Sequence, residues 1–421
     1  MILGTGESGK AAAELAVKSG AEPVFDNNFQ FSVFSFQLAV LSPGISINHP
    51  RIRELKARGV KVVSELEFAY RACAASVLAV TGTNGKSTTV SLLGAMLNKG
   101  GIRAEVLGNI GVAFSRRALE LPASACAVLE VSSFQTEAVD RFRPHIGVIL
   151  NLTPDHLDRH GTLESYALTK FKMFARQTKK DCAVLNADDG EIMKRADLVR
   201  ARKYYFSTEK RVRGCYLADS GVWFWDGFSE PRFIVSRGGI KLPGRHNLSN
   251  ALAASCVALL YGVSIEAAAA ALAEFSGIKH RLEFVRELDG IKYWNDSKAT
   301  NIDSALTGAR ALTGEITQIL GGSDKGYEFD ALFEGLPANV TRAVAVGATA
   351  EKLLAAAARR GFERIAFAPD FKTAVETARD LTGPGGNVLL GPACASFDSF
   401  RNYEHRGDTF CGIVNELKTE N

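Results

Sequence analysis

Short apolar runs alternate with Ala- and Leu-rich stretches along the whole chain. Runs such as Val77-Leu-Ala-Val80, Val148-Ile-Leu150 and Val388-Leu-Leu390 are too short for helices and suit strands buried on both faces. The stretches between them, for example Thr89-Val-Ser-Leu-Leu-Gly-Ala-Met-Leu97, follow a helical pattern. This alternation predicts the α/β class with mostly parallel sheets. Three modules follow, with boundaries expected at 1–73, 74–277 and 278–421.

Polar residues gather where the apolar runs stop. The densest cluster is Thr81-Gly82-Thr83-Asn84-Gly85-Lys86-Ser87-Thr88, between a strand-like run and a helical one. Glycines let a backbone approach a ligand closely, so amide N–H groups can point at phosphate oxygens. The helix start adds partial positive charge. Lys86 is placed to reach outer phosphates and Ser87 to meet a magnesium ion. The full phosphate-loop pattern has an earlier glycine five positions before Gly85, and that position is Val80. In the first module, Gly4-Thr-Gly6-Glu-Ser-Gly9 follows Ile2-Leu3 and opens a helix, and Asp26 ends the next strand-like run, where an acidic residue meets a ribose. A tight turn that binds nothing is the alternative there.

Composition narrows the class. The chain has 421 residues, 46% hydrophobic and 23% charged, with a formal net charge of +4. That is an ordinary globular balance, too weakly basic to argue for nucleic acid or a membrane surface. No apolar run is long enough to span a bilayer. The start, Met1-Ile-Leu-Gly-Thr-Gly6, lacks the regions of a signal peptide, and the seven cysteines hold no C-x-x-C pair. The expectation is a reduced, cytoplasmic protein.

Further clusters carry candidate chemistry. Glu130, in Leu129-Glu130-Val-Ser132-Ser-Phe-Gln135, stands at a strand end, where a second magnesium ligand belongs in a phosphate-loop protein. The alternative is an ordinary capped turn, with Ser132 and Ser133 starting a helix, and the preceding phosphate loop favours the metal role. Asn151-Leu-Thr-Pro-Asp155-His156-Leu-Asp158 suits metal binding or phosphate orientation, although magnesium prefers oxygen to histidine. Lys170, in Tyr166-Ala-Leu-Thr-Lys170, reads as a surface lysine. Asn247 and Asn250, three apart, fall on one helical face and suit a purine edge, with an N-cap role for Asn247 as the alternative. The third module holds His280-Arg281, Asn295-Asp296-Ser-Lys298-Ala-Thr300-Asn301, Gly322-Ser-Asp324-Lys325 and Ala393-Cys394-Ala-Ser396 through Tyr403-Glu-His405-Arg406. Arg281, Lys298 and Lys325 together point to an anion, either a carboxylate or ATP phosphates. Cys394 has no base partner and reads as a small buried thiol.

Taken in order, Gly82–Thr88, Asn151–Asp158, Gly244-Arg-His-Asn247 and His280-Arg281 resemble the Mur ligases. Asn295–Asn301, Leu390–Asp398 and Asn402–Gly407 resemble the branch that adds D-glutamate. The resemblance implies Rossmann-like first and third domains around a central P-loop ATPase-type domain. It also implies ATP and magnesium, UDP-N-acetylmuramoyl-L-alanine and D-glutamate as substrates, and a monomer. Gly82, Thr83, Asn84, Gly85, Lys86, Ser87 and Thr88 would hold the phosphates. Asn247 and Asn250 would meet the adenine side, with Arg281 and Asp296 completing the ATP site. Ser87 and Glu130 would hold one magnesium; His156 and a carbamylated Lys170 would stand at a second. Lys298, Thr300, Lys325, Ser396 and Tyr403 would bind D-glutamate. Gly4, Asp26, Ser42, Pro43, Gly44, Asn109, Ser132 and Gln135 would face the uridine–muramoyl substrate.

Against that family the interval Asn27 to Val40 is short, so altered uridine contacts are expected. Two other readings stay open on the residues: a sibling ligase for another amino acid, the folylpolyglutamate type included, and a non-catalytic nucleotide-binding relative.

Overall fold

The computed structural model describes residues 1–25, 36–219, 221–242, 244–324, 326 and 328–419. Asp26 and Lys325 lie outside the described residues, as does most of the short interval after Asp26. The chain forms two compact units, Met1–Lys241 with His246–Phe275, and Leu242–Arg245 with Ser276–Asn421.

The first unit holds two sheets. The smaller is wholly parallel, in the order β1 (Ile2–Leu3), β2 (Leu38–Leu41), β3 (Lys61–Ser64). The larger contains β4 (Ser76–Thr81), β5 (Ala104–Gly108), β6 (Cys126–Glu130), β7 (Ile146–Ile149), β8 (Cys182–Asn186), β9 (Arg202–Ser207), β10 (Gly214–Ala218), β11 (Gly221–Trp225) and β12 (Arg232–Ser236). Its order is β12-β11-β10-β9-β8-β7-β4-β6-β5. Pairing is parallel from β5 to β10 and antiparallel across β10, β11 and β12, an extension that the strand–helix alternation does not predict. Strand β4 lies between β6 and β7, and its residues Val77, Leu78, Ala79 and Val80 are buried. Burying a Val or Leu side chain fully is worth about 1.5–3 kcal/mol, which anchors the strand that delivers the phosphate loop.

Register does the rest. Val80 pairs with Glu130 and Thr81 with Ile149, so the polar segments after β4, β6 and β7 leave the sheet at one edge. That edge, beyond the carboxyl ends of parallel strands where order reverses, is where such sheets bind ligands.

The second unit is built on β13 (Glu283–Leu288), β14 (Ile291–Asn295), β15 (Ile316–Gly321), β16 (Val340–Val346), β17 (Ile365–Phe367) and β18 (Asn387–Leu390). The order is β13-β14-β18-β15-β16-β17, with only the β13–β14 pair antiparallel. Asn295 and Ile319 both pair with Leu390, so the clusters after β14, β15 and β18 also share one edge. All seven cysteines are free, and Cys394 is buried, as expected. Among the described residues no helix is long and apolar enough to cross a membrane.

Candidate active site

The phosphate loop is held from three sides. Gly82 (φ 148°) and Gly85 (φ 85°) occupy backbone conformations that a side chain disfavours. Gly85 precedes the helix Lys86–Lys99. The Asn84 N–H donates to Asn151 Oδ1 at 2.8 Å, and Asn151 Nδ2 returns a bond to the Asn84 carbonyl at 3.0 Å. Thr83 Oγ1 shares a hydrogen bond with the Tyr166 hydroxyl at 3.2 Å and accepts from the Thr153 N–H at 3.1 Å. Lys86 Nζ folds over the loop, donating to the carbonyls of Gly82 at 2.9 Å and Thr83 at 2.7 Å. A loop braced in this way presents its amides without reorganising, which is what phosphate binding requires.

Two further sequence candidates meet the loop. Asn250 lies so close that a Cβ on Gly85 would sit 2.2 Å from its Oδ1. Asn250 Nδ2 donates to Asn247 Oδ1 at 3.2 Å, so the two amides act as one group. Asn247 lies within the helix Arg245–Leu260 rather than capping it.

Glu130 is the last residue of β6. It is buried, its Oε1 accepts from Asn109 Nδ2 at 2.9 Å, and its Oε2 has no hydrogen-bond partner. An unpartnered buried carboxylate oxygen is costly unless a cation or water meets it. Thr81 Oγ1, next to the loop, is also buried without a partner. Ser87 is buried in the first turn of the loop helix. No group of three or more His, Cys, Asp and Glu gathers among the described residues. Magnesium suits such a sparse site, because it keeps several waters and takes substrate phosphate oxygens.

Lys170 is the clearest correction to the sequence reading. It is buried rather than on the surface, in the helix Leu163–Phe171, and only 1% exposed. Its Nζ donates to the Gly82 carbonyl at 2.9 Å and stands 4.5 Å from the centre of the Tyr166 ring. Burial, reinforced by the Lys86 charge, pushes its pKa well below the usual lysine range, opposed by Asp155 and Glu130. Packing beneath the loop, not local sequence, makes this lysine an amine able to lose its proton.

His156 has left-handed backbone (φ 51°), packs its ring at a tilt against Phe134 with centroids 4.7 Å apart, and lies 3.5 Å from Asp155. Ser132 and Gln135 are engaged with each other. The Gln135 N–H donates to Ser132 Oγ at 3.3 Å, and the Ser132 N–H donates to Gln135 Oε1 at 2.9 Å. This capping box is the structural alternative that the sequence left open. In the first sheet, Gly4 (φ 105°) packs against Ser42, whose buried Oγ has no partner. The turn Ser42-Pro43-Gly44 is tied to the segment after β7, because Arg159 donates to the carbonyls of Pro43 and Ile45, both at 2.9 Å.

In the second unit, Asp296 is buried and accepts from the Leu282 N–H at 3.0 Å. Burial raises its carboxyl to about 6, against the Leu282 bond and the Arg281 charge. Lys298 Nζ stands 5.6 Å from the centre of the Tyr403 ring. Thr300 donates its N–H to the Lys298 carbonyl at 2.9 Å, and Ser396 is buried. The sequence reading gave Arg406 no role. Its guanidinium is fully buried and donates to Ser297 Oγ (3.0 Å) and to the carbonyls of Ser297 (2.9 Å), Cys394 (3.0 Å) and Ala395 (3.2 Å). It thereby ties the cluster after β14 to the one after β18. Asn151, the brace of the phosphate loop, was also given no role. Its place at the head of a polar cluster beyond a buried run is the signal that could have singled it out.

Comparison with known proteins agrees with this geometry. Residues 80–258 match the Mur ligase middle domain, and residues 280–394 match the Mur ligase glutamate ligase domain. The chain belongs to the Mur ligase family. It is 41% identical over 383 residues to the UDP-N-acetylmuramoylalanine--D-glutamate ligase of Alkaliphilus oremlandii, covering 90% of this chain and 84% of that protein. It is 39% identical over 445 residues to the ligase of the same name from Geobacillus kaustophilus, covering 99% and 97%. Among solved structures, UDP-N-acetylmuramate-alanine ligase of Thermotoga maritima superposes with a TM-score of 0.63 at 18% identity, covering 99% of each chain. A pseudomurein peptide ligase of Methanothermus fervidus gives 0.61 at 15%, covering 99% of each. These structures share the Mur ligase fold.

Proposed function

We propose that this Mur ligase joins D-glutamate to UDP-N-acetylmuramoyl-L-alanine at the expense of ATP, in cytoplasmic peptidoglycan precursor synthesis. The observation that carries the reading is the match to D-glutamate ligases over 90% or more of the chain, which spans both units. A carboxylate is a poor electrophile. Transfer of the γ-phosphoryl group to the substrate carboxylate gives an acyl phosphate and ADP. The amine of D-glutamate then attacks, and the tetrahedral adduct expels phosphate to leave an amide. Positioning and charge neutralisation supply most of the catalysis.

In this reading the chain's own groups divide the work. The amides of Gly82–Thr88 and the Lys86 ammonium hold the transferring phosphates. Ser87 and Glu130 hold one magnesium; His156 and Lys170, the latter carbamylated, stand at a second. Magnesium, when bound, spreads the negative charge of the phosphoryl oxygens. The unprotonated amine that burial favours at Lys170 is the form that takes up carbon dioxide. Asn247 and Asn250 meet the adenine side, and Arg281 and Asp296 complete the ATP site. Lys298, Thr300, Lys325, Ser396 and Tyr403 receive D-glutamate. Gly4, Asp26, Ser42, Pro43, Gly44, Asn109, Ser132 and Gln135 face the uridine–muramoyl substrate. The domains are 1–73, 74–277 and 278–421, and the enzyme acts as a monomer.

An amino-acid panel tests the substrate. With ATP, magnesium and UDP-N-acetylmuramoyl-L-alanine, mass spectrometry should find an amide product with D-glutamate and none with L-lysine, meso-diaminopimelate or L-glutamate. A product with one of those three and none with D-glutamate would overturn the assignment.

A further inference from the structure

The larger sheet of the first unit has two ends, and the phosphate loop uses one. At the other, where β4, β7 and β8 begin, lies a cavity of about 490 Å³ whose lining includes Tyr70, Arg71, Arg141, Arg143, His145 and Asp181. Strand β4 spans six residues, so the two ends stand about 17 Å apart at ~3.3 Å per residue. None of the groups assigned to catalysis lines this cavity.

Its lining is basic. Arg71, Arg141 and Arg143 face it, against the single carboxylate of Asp181. Arg143 Nε donates to Asp181 at 2.8 Å, which occupies one edge of that guanidinium. Arg71 Nε donates to Glu67 at 2.7 Å. Glu67 is fully buried, and its carboxylate also accepts from the N–H groups of Asp140 (2.9 Å), Arg141 (2.9 Å) and Phe142 (2.8 Å). One negative charge is thus shared among four donors. Asp140, the other nearby carboxylate, is shared by Lys61 at 2.6 Å, Arg176 at 3.2 Å and Arg71 at 3.4 Å. The Arg141 side chain is exposed and makes no ion pair among the described residues. Across this neighbourhood five cations (Lys61, Arg71, Arg141, Arg143, Arg176) face three anions (Glu67, Asp140, Asp181), an excess of two before His145 is counted.

The arrangement is also prepared in advance. The grip of Glu67 on three successive N–H groups fixes the backbone that carries Arg141 and leads to Arg143. Guanidinium groups match the oxygens of phosphate groups better than ammonium groups do. We propose that this cavity is a second anion site, for a compact phosphate-type polyanion of pyrophosphate size, separate from the phosphate loop.

Calorimetric titration of inorganic pyrophosphate into the full chain, without magnesium, tests this. The Lys86→Ala variant removes the competing pull of the phosphate loop, and binding should persist there. Arg141→Ala and Arg141→Glu, which disturb no ion pair, should each weaken that binding, the second by tenfold or more. ADP that displaces the pyrophosphate would identify a nucleotide's diphosphate as the source. ADP that does not would identify a free polyanion, and either outcome supports the site. No binding in Lys86→Ala, or binding indifferent to both Arg141 variants, would overturn it.

Discussion

Lys86 and Asp296 carry the sharpest expectations at the level of single residues. Lys86 Nζ rests on two carbonyls of its own loop, so its removal should leave the fold intact. Losing a charge aimed at a transferring phosphoryl group costs on the order of 10²–10³ in rate. Lys86→Ala should therefore lose at least 10²-fold in phosphate release while its circular dichroism is unchanged. Asp296 predicts a pH effect. Its carboxyl is raised by burial to about 6, so between the ordinary value of 3.8 and about 6 the folded chain binds more protons than the unfolded chain. Stability from this group is present at low pH and lost as pH rises through that window. The ceiling is about 3 kcal/mol at 1.36 kcal/mol per unit. Asp296→Asn should flatten the denaturant stability profile between about pH 4 and pH 6, and an unchanged slope would contradict the assignment. Lys170 shows where single-residue reading stops. Nothing in Tyr166-Ala-Leu-Thr-Lys170 says that its amine lies beneath Gly82, because burial there is decided by a loop 88 residues away.

The elements were legible in proportion to how locally they are determined. The phosphate loop was read from its glycines, its lysine and its flanks because a buried parallel strand and a largely buried apolar helix each leave a pattern of their own. The clusters after β14 and β18 were legible for the same reason, as polar density beyond an apolar run. The antiparallel extension β10–β12 was not read. Its strands are short and glycine-bounded, and they carry aromatics such as Trp223 and Trp225 that a strand–helix alternation does not place. The capping box of Ser132 and Gln135 was legible only as an alternative, because serine serves a helix start and a ligand equally well. One substitution tests the loop as an element. Gly85→Ala must place a methyl 2.2 Å from Asn250 Oδ1 on a backbone at φ 85°. Left-handed backbone alone costs a non-glycine residue about 1–2 kcal/mol. ADP affinity should fall by tenfold or more with a lowered melting temperature, and wild-type affinity would show that the loop is not held as described.

For the whole molecule, the family and its three sheets followed from motif order, while the contacts to each substrate did not. The residues proposed for ATP and D-glutamate come from both compact units. Asp26 and Lys325, two of the proposed contacts, lie outside the described residues, and their roles rest on resemblance. The central claim is that phosphoryl transfer and amide formation are coupled through the chain's own amino-acid site. Phosphate release with ATP, magnesium and UDP-N-acetylmuramoyl-L-alanine, with and without D-glutamate, tests it most directly. The account predicts release that depends on D-glutamate and equals the amide formed, mole for mole. Release at the same rate without D-glutamate, or none with it while ATP still binds, would contradict it.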